Sequence, residues 1–280
     1  MPTSRKRPVA KTAGTQSIER SLRILRELAA RGEFGWRLSD LAAQCDIDKG
    51  TAHRVLACLV RERFVQQRPS DKHYFPGPML FELGLSMPGF GAFQHACDKR
   101  LRKFAAALDA IAWVILRSGN EYVCSSRQGT LELRGLMVQV GTRRPLFTSA
   151  GGIAILQTLS SAEAAAILVD NELQEIGRRG DARLDALRQM RERSKLHDFG
   201  VNLGDVVSGV HAFSVPIRDQ DGRAFGALCL CGTPEQFPQA RVDEVHGLLR
   251  DMAAGIEEDG RACLGQVMQL SAPPESQFKM

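Results

Sequence analysis

The chain has 280 residues, 44% of them hydrophobic and 25% charged, with a formal net charge of +5. At roughly 150 residues per domain this is a little under two domains, and the composition excludes a collagen-like, wholly disordered or disulfide-stapled chain. No run approaches the roughly 18 uncharged apolar residues that span a bilayer, and the basic opening MPTSRKRPVAKTAG lacks the apolar core of a secretory signal, so a cytoplasmic location without membrane contact is expected.

The charge is unevenly spread. Residues 1–75 carry 15 Lys and Arg against 8 Asp and Glu, whereas the remaining 205 carry 22 against 24. A basic N-terminal quarter on a near-neutral body suggests a polyanion-binding module joined to something else. Part of the excess lies in residues 1–14, which hold four Lys and Arg and no acid and are expected to be a disordered tail.

From residue 15 the chain reads as a compact module ending near residue 77. Ser17 is a candidate cap for a first helix with Ile18, Leu22, Leu25 and Ala29 on one face, stopped by Gly32 and Gly35. Ser39 offers a cap for a short helix over about 40–44. Asp48 caps a third, running to about Arg63, whose stripe is Ala52, Val55, Leu56, Leu59 and Val60. Its opposite face carries Gly50, Arg54, Ala57 and Arg61, flanked by Thr51 and His53. Phe64–Gln66 and His73–Phe75 then read as strands around a turn with Arg68 and Lys72 near its tip. This is a helix-turn-helix followed by a wing. Phosphate contacts need cations or amides and base reading needs donors near the start of the recognition helix, so Ser39, Lys49, Gly50, Thr51, His53, Arg54, Arg61, Arg68 and Lys72 are the candidate DNA-binding residues.

Residues 78–92 are expected to form a linker helix with Met79, Leu80, Leu83 and Met87 on one side, stopped by Pro88-Gly89-Phe90-Gly91. A second amphipathic helix follows through Phe93, Cys97, Leu101, Phe104 and Leu108. Such faces pack either on their own body or on another copy of the chain. The body, 93–265, alternates strands and helices. AWVILR and EYVCSSR form a hairpin, LMVQV a further strand, helices fall at 149–159, 161–169 and 182–197, and GVHAFSVPIRD pairs with AFGALCLCG through Asp221-Gly222. A last helix spans about 238–258, and 266–280 reads as a disordered tail.

Candidate ligand features lie in this body. Thr148-Ser149-Ala150-Gly151-Gly152 is a small-residue turn into a helix, suited either to a carboxylate at the helix start or to close packing. Cys229 and Cys231 share one side of a strand and either line a cavity or fill a core. Arg143 and Arg144, paired ahead of Pro145, read either as a solvated loop or as cations for an acidic ligand. The seven cysteines are scattered, with no C-x-x-C and no zinc spacing, and read as reduced thiols with no metal or cofactor. No dinucleotide, P-loop or nucleophile-elbow motif is present, so an enzyme is not expected. The alternative is a thiol-dependent enzyme, with Cys229 beside His211, or a ligand carrier with a basic accessory domain.

Three ordered motifs sharpen the reading. LSDLAAQCDIDKGTAHRVLACLVRERFVQQRPSDKHYFPG resembles the winged helix of the IclR-type bacterial transcriptional regulators, RRPLFTSAGGIAIL the segment opening their effector domain, and FGVNLGDVVSGVHAFSVPIRDQDGRAFGALCLCG its closing hairpin. Two departures stand out: Tyr74-Phe75-Pro76-Gly77 where the family has Tyr-x-Leu-Gly, and Gly152-Ile153 where Gly-Lys is common. The resemblance implies a two-domain α+β fold, a winged helix-turn-helix joined by a linker helix to a GAF-like effector-binding domain. It implies effector contacts at Thr148, Ser149, Ala150, Gly151, Asn202, Asp205, Ala212, Cys229 and Cys231. It also implies a homodimer or homotetramer on an inverted-repeat operator in double-stranded DNA, responding to a small organic or aromatic acid.

Overall fold

The computed structural model describes residues 15–269, so the tails expected at 1–14 and, beyond residue 269, at 266–280 lie outside the described residues. The chain divides between Ser86 and Met87 into two compact units.

The first unit runs α1 (Gln16–Arg31), α2 (Leu38–Gln44), α3 (Lys49–Arg61), β1 (Val65–Gln67), β2 (Tyr74–Pro76) and α4 (Pro78–Leu85). Its core is Ile24, Leu28, Trp36, Leu41, Cys45, Leu56, Val65 and Tyr74. β1 and β2 pair antiparallel, and Trp36 bridges to Tyr74, so the wing is fastened beneath the helices. Gly35 sits at φ +64°, and a β-carbon there would lie 2.6 Å from the Phe75 ring, which is why the turn after α1 needs glycine.

Four expectations are corrected here. The face of α1 that packs inward is Ile24 and Leu28, while Ile18 and Leu22 are 59% and 55% exposed. The helix carries two apolar stripes, and periodicity cannot choose between them. Ser39 lies inside α2, its hydroxyl donating to Asp40 at 2.9 Å; the residue preceding that helix is Arg37. Val60 is exposed rather than part of the α3 stripe. α4 buries none of its side chains, leaving Phe81 and Leu85 at 70% and 65% exposure.

The second unit is built on a six-stranded antiparallel sheet of order β5-β4-β3-β8-β7-β6. Its strands are β3 (Ile111–Ser118), β4 (Glu121–Gln128), β5 (Arg143–Pro145), β6 (Gly200–Leu203), β7 (His211–Arg218) and β8 (Ala224–Gly232). α5 (Pro88–Leu108) and α9 (Val242–Gln269) cover one face, meeting Val114, Phe213, Val215, Leu228 and Leu230. α6 (Ala150–Leu156), α7 (Ser161–Arg179) and α8 (Leu184–His197) lie over the other, which presents Ile111, Trp113, Ile115, Ala227, Cys229 and Cys231.

Here too the structure differs in places. The preceding helix does end ahead of Pro88, at Leu85, but Pro88-Gly89-Phe90-Gly91 is itself helical and opens α5, because proline is at home in a first helical turn. LMVQV is not a strand: Gly135 and Gly141 sit at φ +80° and +87°, and only Gly141 and Thr142 bond across to Cys124. α7 runs ten residues past its expected end and stops at Gly180. β6, which carries Asn202, is a short strand that the sequence pattern does not announce. α9 continues through Gly260, which packs against Phe225 and Phe93, so residues 266–269 are helical.

Candidate nucleic-acid interface and ligand site

The start of α3 is organised by hydrogen bonds. Asp48 accepts from the Thr51 amide at 2.8 Å, and its bonds to the Thr51 hydroxyl and amide hold its carboxyl below the usual range. Arg54 donates to the Thr51 hydroxyl at 3.1 Å. This chain fixes the first turn of the helix and aims Arg54 outward, while Lys49, Gly50 and His53 are exposed beside it.

Lys49, His53, Ser39 and Lys72 come together with Arg37 and Gln67 around an open cleft of about 490 Å³ between the α2–α3 corner and the wing. Lys49 and Lys72 have no ion-pair partner among the described residues. The other two wing and helix cations are already engaged. Arg61 donates to Glu62 at 3.0 Å; Arg68 makes a two-pronged bond to Asp71 and stacks 4.7 Å over Phe75. Arg68 therefore braces the wing turn. Arg37, which lines the same cleft, was not among the residues read from the sequence.

The small-residue turn is a packing device. A β-carbon on Gly151 would lie 2.6 Å from Cys229 Sγ, and one on Gly152 would lie 1.8 Å from the Leu146 carbonyl oxygen. Ser149 caps α6 by accepting from the Gly152 amide at 3.1 Å, and Thr148 donates to the Pro145 carbonyl at 2.7 Å. Steric closeness accounts for both glycines, and the Ser149 hydroxyl already occupies the Gly152 amide at the helix start.

Strand pairing groups the remaining candidates. Opposite residues on neighbouring strands point to one side. The pairings Cys231–Ala212 and Ala212–Asn202 form one row across the sheet, and Trp113–Cys229 and Cys229–Ser214 the next. Asn202 accepts from the Asp205 amide at 2.8 Å and from the Val206 amide, closing the turn after β6. Asp205 is held by Arg193 and the Leu203 amide. Arg143 bonds Glu121 and Ser118, whereas Arg144 donates to the Met137 carbonyl and pairs with no carboxylate among the described residues.

A thiol dyad is ruled out by the register. Cys229 opposes Ser214, so His211, an odd number of residues away, points to the other face, where its Nδ1 meets the Phe237 carbonyl at 2.8 Å. Burial pushes the thiols of Cys124 and Cys231 up to about 12 and that of Cys229 higher still. Brief alkylation of the native protein is expected to mark Cys58, which is exposed, ahead of all others. Peptide mass spectrometry showing early label on Cys229 or Cys231 would contradict this packing.

Against known proteins, the model of the IclR helix-turn-helix domain matches residues 17–69, and that of the bacterial transcriptional regulator IclR C-terminal domain matches 94–258. The glycerol operon regulatory protein of Streptomyces griseus is 26% identical over 87% of this chain and 96% of its own length. The HTH-type transcriptional repressor AllR of Escherichia coli K12 is 24% identical over 89% and 91%. Among solved structures, an IclR family transcriptional regulator from Brucella abortus has a TM-score of 0.70 at 18% identity, covering 92% of this chain and 99% of its own. An IclR homolog from Microbacterium hydrocarbonoxydans, complexed with 4-hydroxybenzoate, has 0.65 at 20%, covering 88% and 100%. These last two likenesses speak to the two-domain α+β fold.

Proposed function

Since the chain belongs to the IclR family, whose members are DNA-binding transcriptional regulators and not enzymes, we propose that it is a ligand-responsive regulator acting in the cytoplasm as a dimer or tetramer on an inverted-repeat operator. The observation that carries this is the outward start of α3 beside the cleft: unpaired Lys49 and Lys72 suit phosphates, and Arg54 and His53 suit base edges. Half-sites about one helical turn apart, or a multiple of it, fit a two-fold assembly. Self-association is supported by the apolar surface left uncovered on α1 (Ile18, Leu22), on α4 (Phe81, Leu85) and, separately, on α7 (Val169, Leu173).

The effector is a small organic or aromatic acid held on the sheet face that carries Asn202, Ala212, Cys229 and Cys231. The 4-hydroxybenzoate of the Microbacterium homolog and the shared fold favour that class. Effector and operator then influence each other's affinity reciprocally.

The test is fluorescence anisotropy of the full chain on its own upstream intergenic DNA, across a salt series with excess competitor. Specific binding with log affinity falling linearly in log salt is expected. Lys49→Ala and Lys72→Ala should each flatten that slope by about 1 and weaken all sequences alike. A slope unchanged in both variants would remove the cleft from the interface, and a genome-wide selection that finds no preferred site would sink the reading.

A further inference from the structure

β4 contains a bulge. Val114 pairs with Ser126 and Ile115 with Cys124, so Ser125 is left between them. The extra residue reverses the side to which the rest of the strand points. Tyr122 and Cys124 face the buried side under α6–α8, whereas Ser126, past the bulge, faces α5 and donates to the Gln94 carbonyl. Arg127 is thereby turned back onto the same side as Tyr122 and Cys124, opposite Trp113 in the row that continues through Cys229 to Ser214.

A cation is out of place there. The face is lined by Trp113, Ile111 and the two cysteines, and the apolar side chains Val138, Val207 and Val210 of the neighbouring loops pack onto it. The Nε of Arg127 is buried and has no hydrogen-bond partner, and no carboxylate pairs with the guanidinium among the described residues. Its one bond is a long donation, 3.4 Å, to the Gly129 carbonyl. Elsewhere in this unit Arg117, Arg143, Arg183 and Arg193 each reach a carboxylate. The guanidinium is close enough to Cys124 and Cys231 to offset part of the rise that burial gives both thiols. By strand pairing its row, through Trp113, Cys229 and Ser214, lies next to the row of Ile111, Cys231, Ala212 and Asn202. A half-buried guanidinium with an unmet donor, on an apolar surface, is costly unless an anion completes it.

We propose that Arg127 is the anchor for the carboxylate of the effector. This rests on the effector reading above and deepens it. The ligand is a carboxylate whose apolar remainder lies over Trp113 and the Cys231–Ala212 row. A neutral isostere of the same shape does not bind.

The full-length protein is followed by thermal unfolding and by titration calorimetry with benzoate, butanoate and acetate, against benzamide and butanamide at matched ionic strength. At least one carboxylate should raise the melting temperature of the wild type while its amide does not. Arg127→Met should lose at least 10-fold in affinity for that carboxylate, and Arg127→Lys should recover part of the loss. Without ligand, Arg127→Met should melt no lower than wild type, because it removes an unpaired charge. A large drop would assign Arg127 a structural role and overturn the proposal. So would equal binding of acid and amide, silence toward every carboxylate, or a response that Arg127→Met retains. Operator anisotropy separates the two claims. A carboxylate that binds through Arg127 without changing operator affinity leaves the anchor standing and removes the effector reading.

Discussion

Replacing Arg54 with alanine is expected to lower affinity for the operator by about 5–150-fold while changing affinity for competitor DNA little, the span that corresponds to about 1–3 kcal/mol for one base-reading contact. The expectation follows from position. N-terminal residues of a recognition helix meet base edges, and Arg54 lies one turn into α3, held toward that end by its 3.1 Å bond to Thr51. The side chain is exposed and braces nothing in the core. Thr51 keeps its bond to Asp48 when Arg54 is removed, so the helix cap survives. Circular dichroism should therefore report an unchanged melting temperature. Arg54→Lys separates the two ways an arginine can act. Lysine preserves the charge but not the planar two-pronged fork, so a base reader should stay defective and a phosphate contact should recover. An operator footprint left intact by Arg54→Ala would take Arg54 out of the reading set and leave Lys49, His53 and the wing to carry it.

The parts of this molecule legible from sequence are those where one local signal dominates. α3 is such a case: Asp48 caps it, and the spacing of Ala52, Val55, Leu56 and Leu59 admits one inward face. The hairpin of β7 and β8 is another, because Asp221-Gly222 sets a glycine at positive φ between two long apolar runs. α1 defeated the same method because two apolar stripes compete, and only contact with Leu41 and Leu56 decides which is buried. β6 is four residues long with a buried asparagine in it, too short for any period. In the ligand region the difficulty is deeper. Strict alternation along EYVCSSRQ would group Arg127 with Val123 and away from Tyr122 and Cys124. The bulge at Ser125 reverses this, and nothing in the residue types announces it. Nor could the sequence weigh the two readings of Gly151 and Gly152, since the deciding quantity is the distance to Cys229 and Leu146 across a tertiary contact.

That last distance supports the other large effect. Gly152→Ala places a methyl group where the Leu146 carbonyl oxygen stands 1.8 Å away, and the obstacle is backbone, which cannot swing aside as a side-chain tip would. Relief requires lifting α6 off Leu146 or opening the turn at Leu146–Thr148. Either movement disturbs Ile153, Ile155 and Leu156, all of them buried against the sheet. Overpacking of this kind costs on the order of 3 kcal/mol or more, enough to lower the melting temperature of a unit this size by roughly 6–12 °C. Gly247→Ala is the matching control. It lies inside α9 with nothing within 4 Å of the added carbon, so it should raise stability by about 0.5–1 kcal/mol through helix propensity alone. The contrast between the two variants, measured by calorimetry on the full chain, separates steric need from a ligand role. If the first glycine pair served mainly to admit a carboxylate, Gly152→Ala would fold normally and lose only its response to ligand. A variant that melts as the wild type does would return the α6 start to the list of ligand seats and weaken the assignment of that role to Arg127.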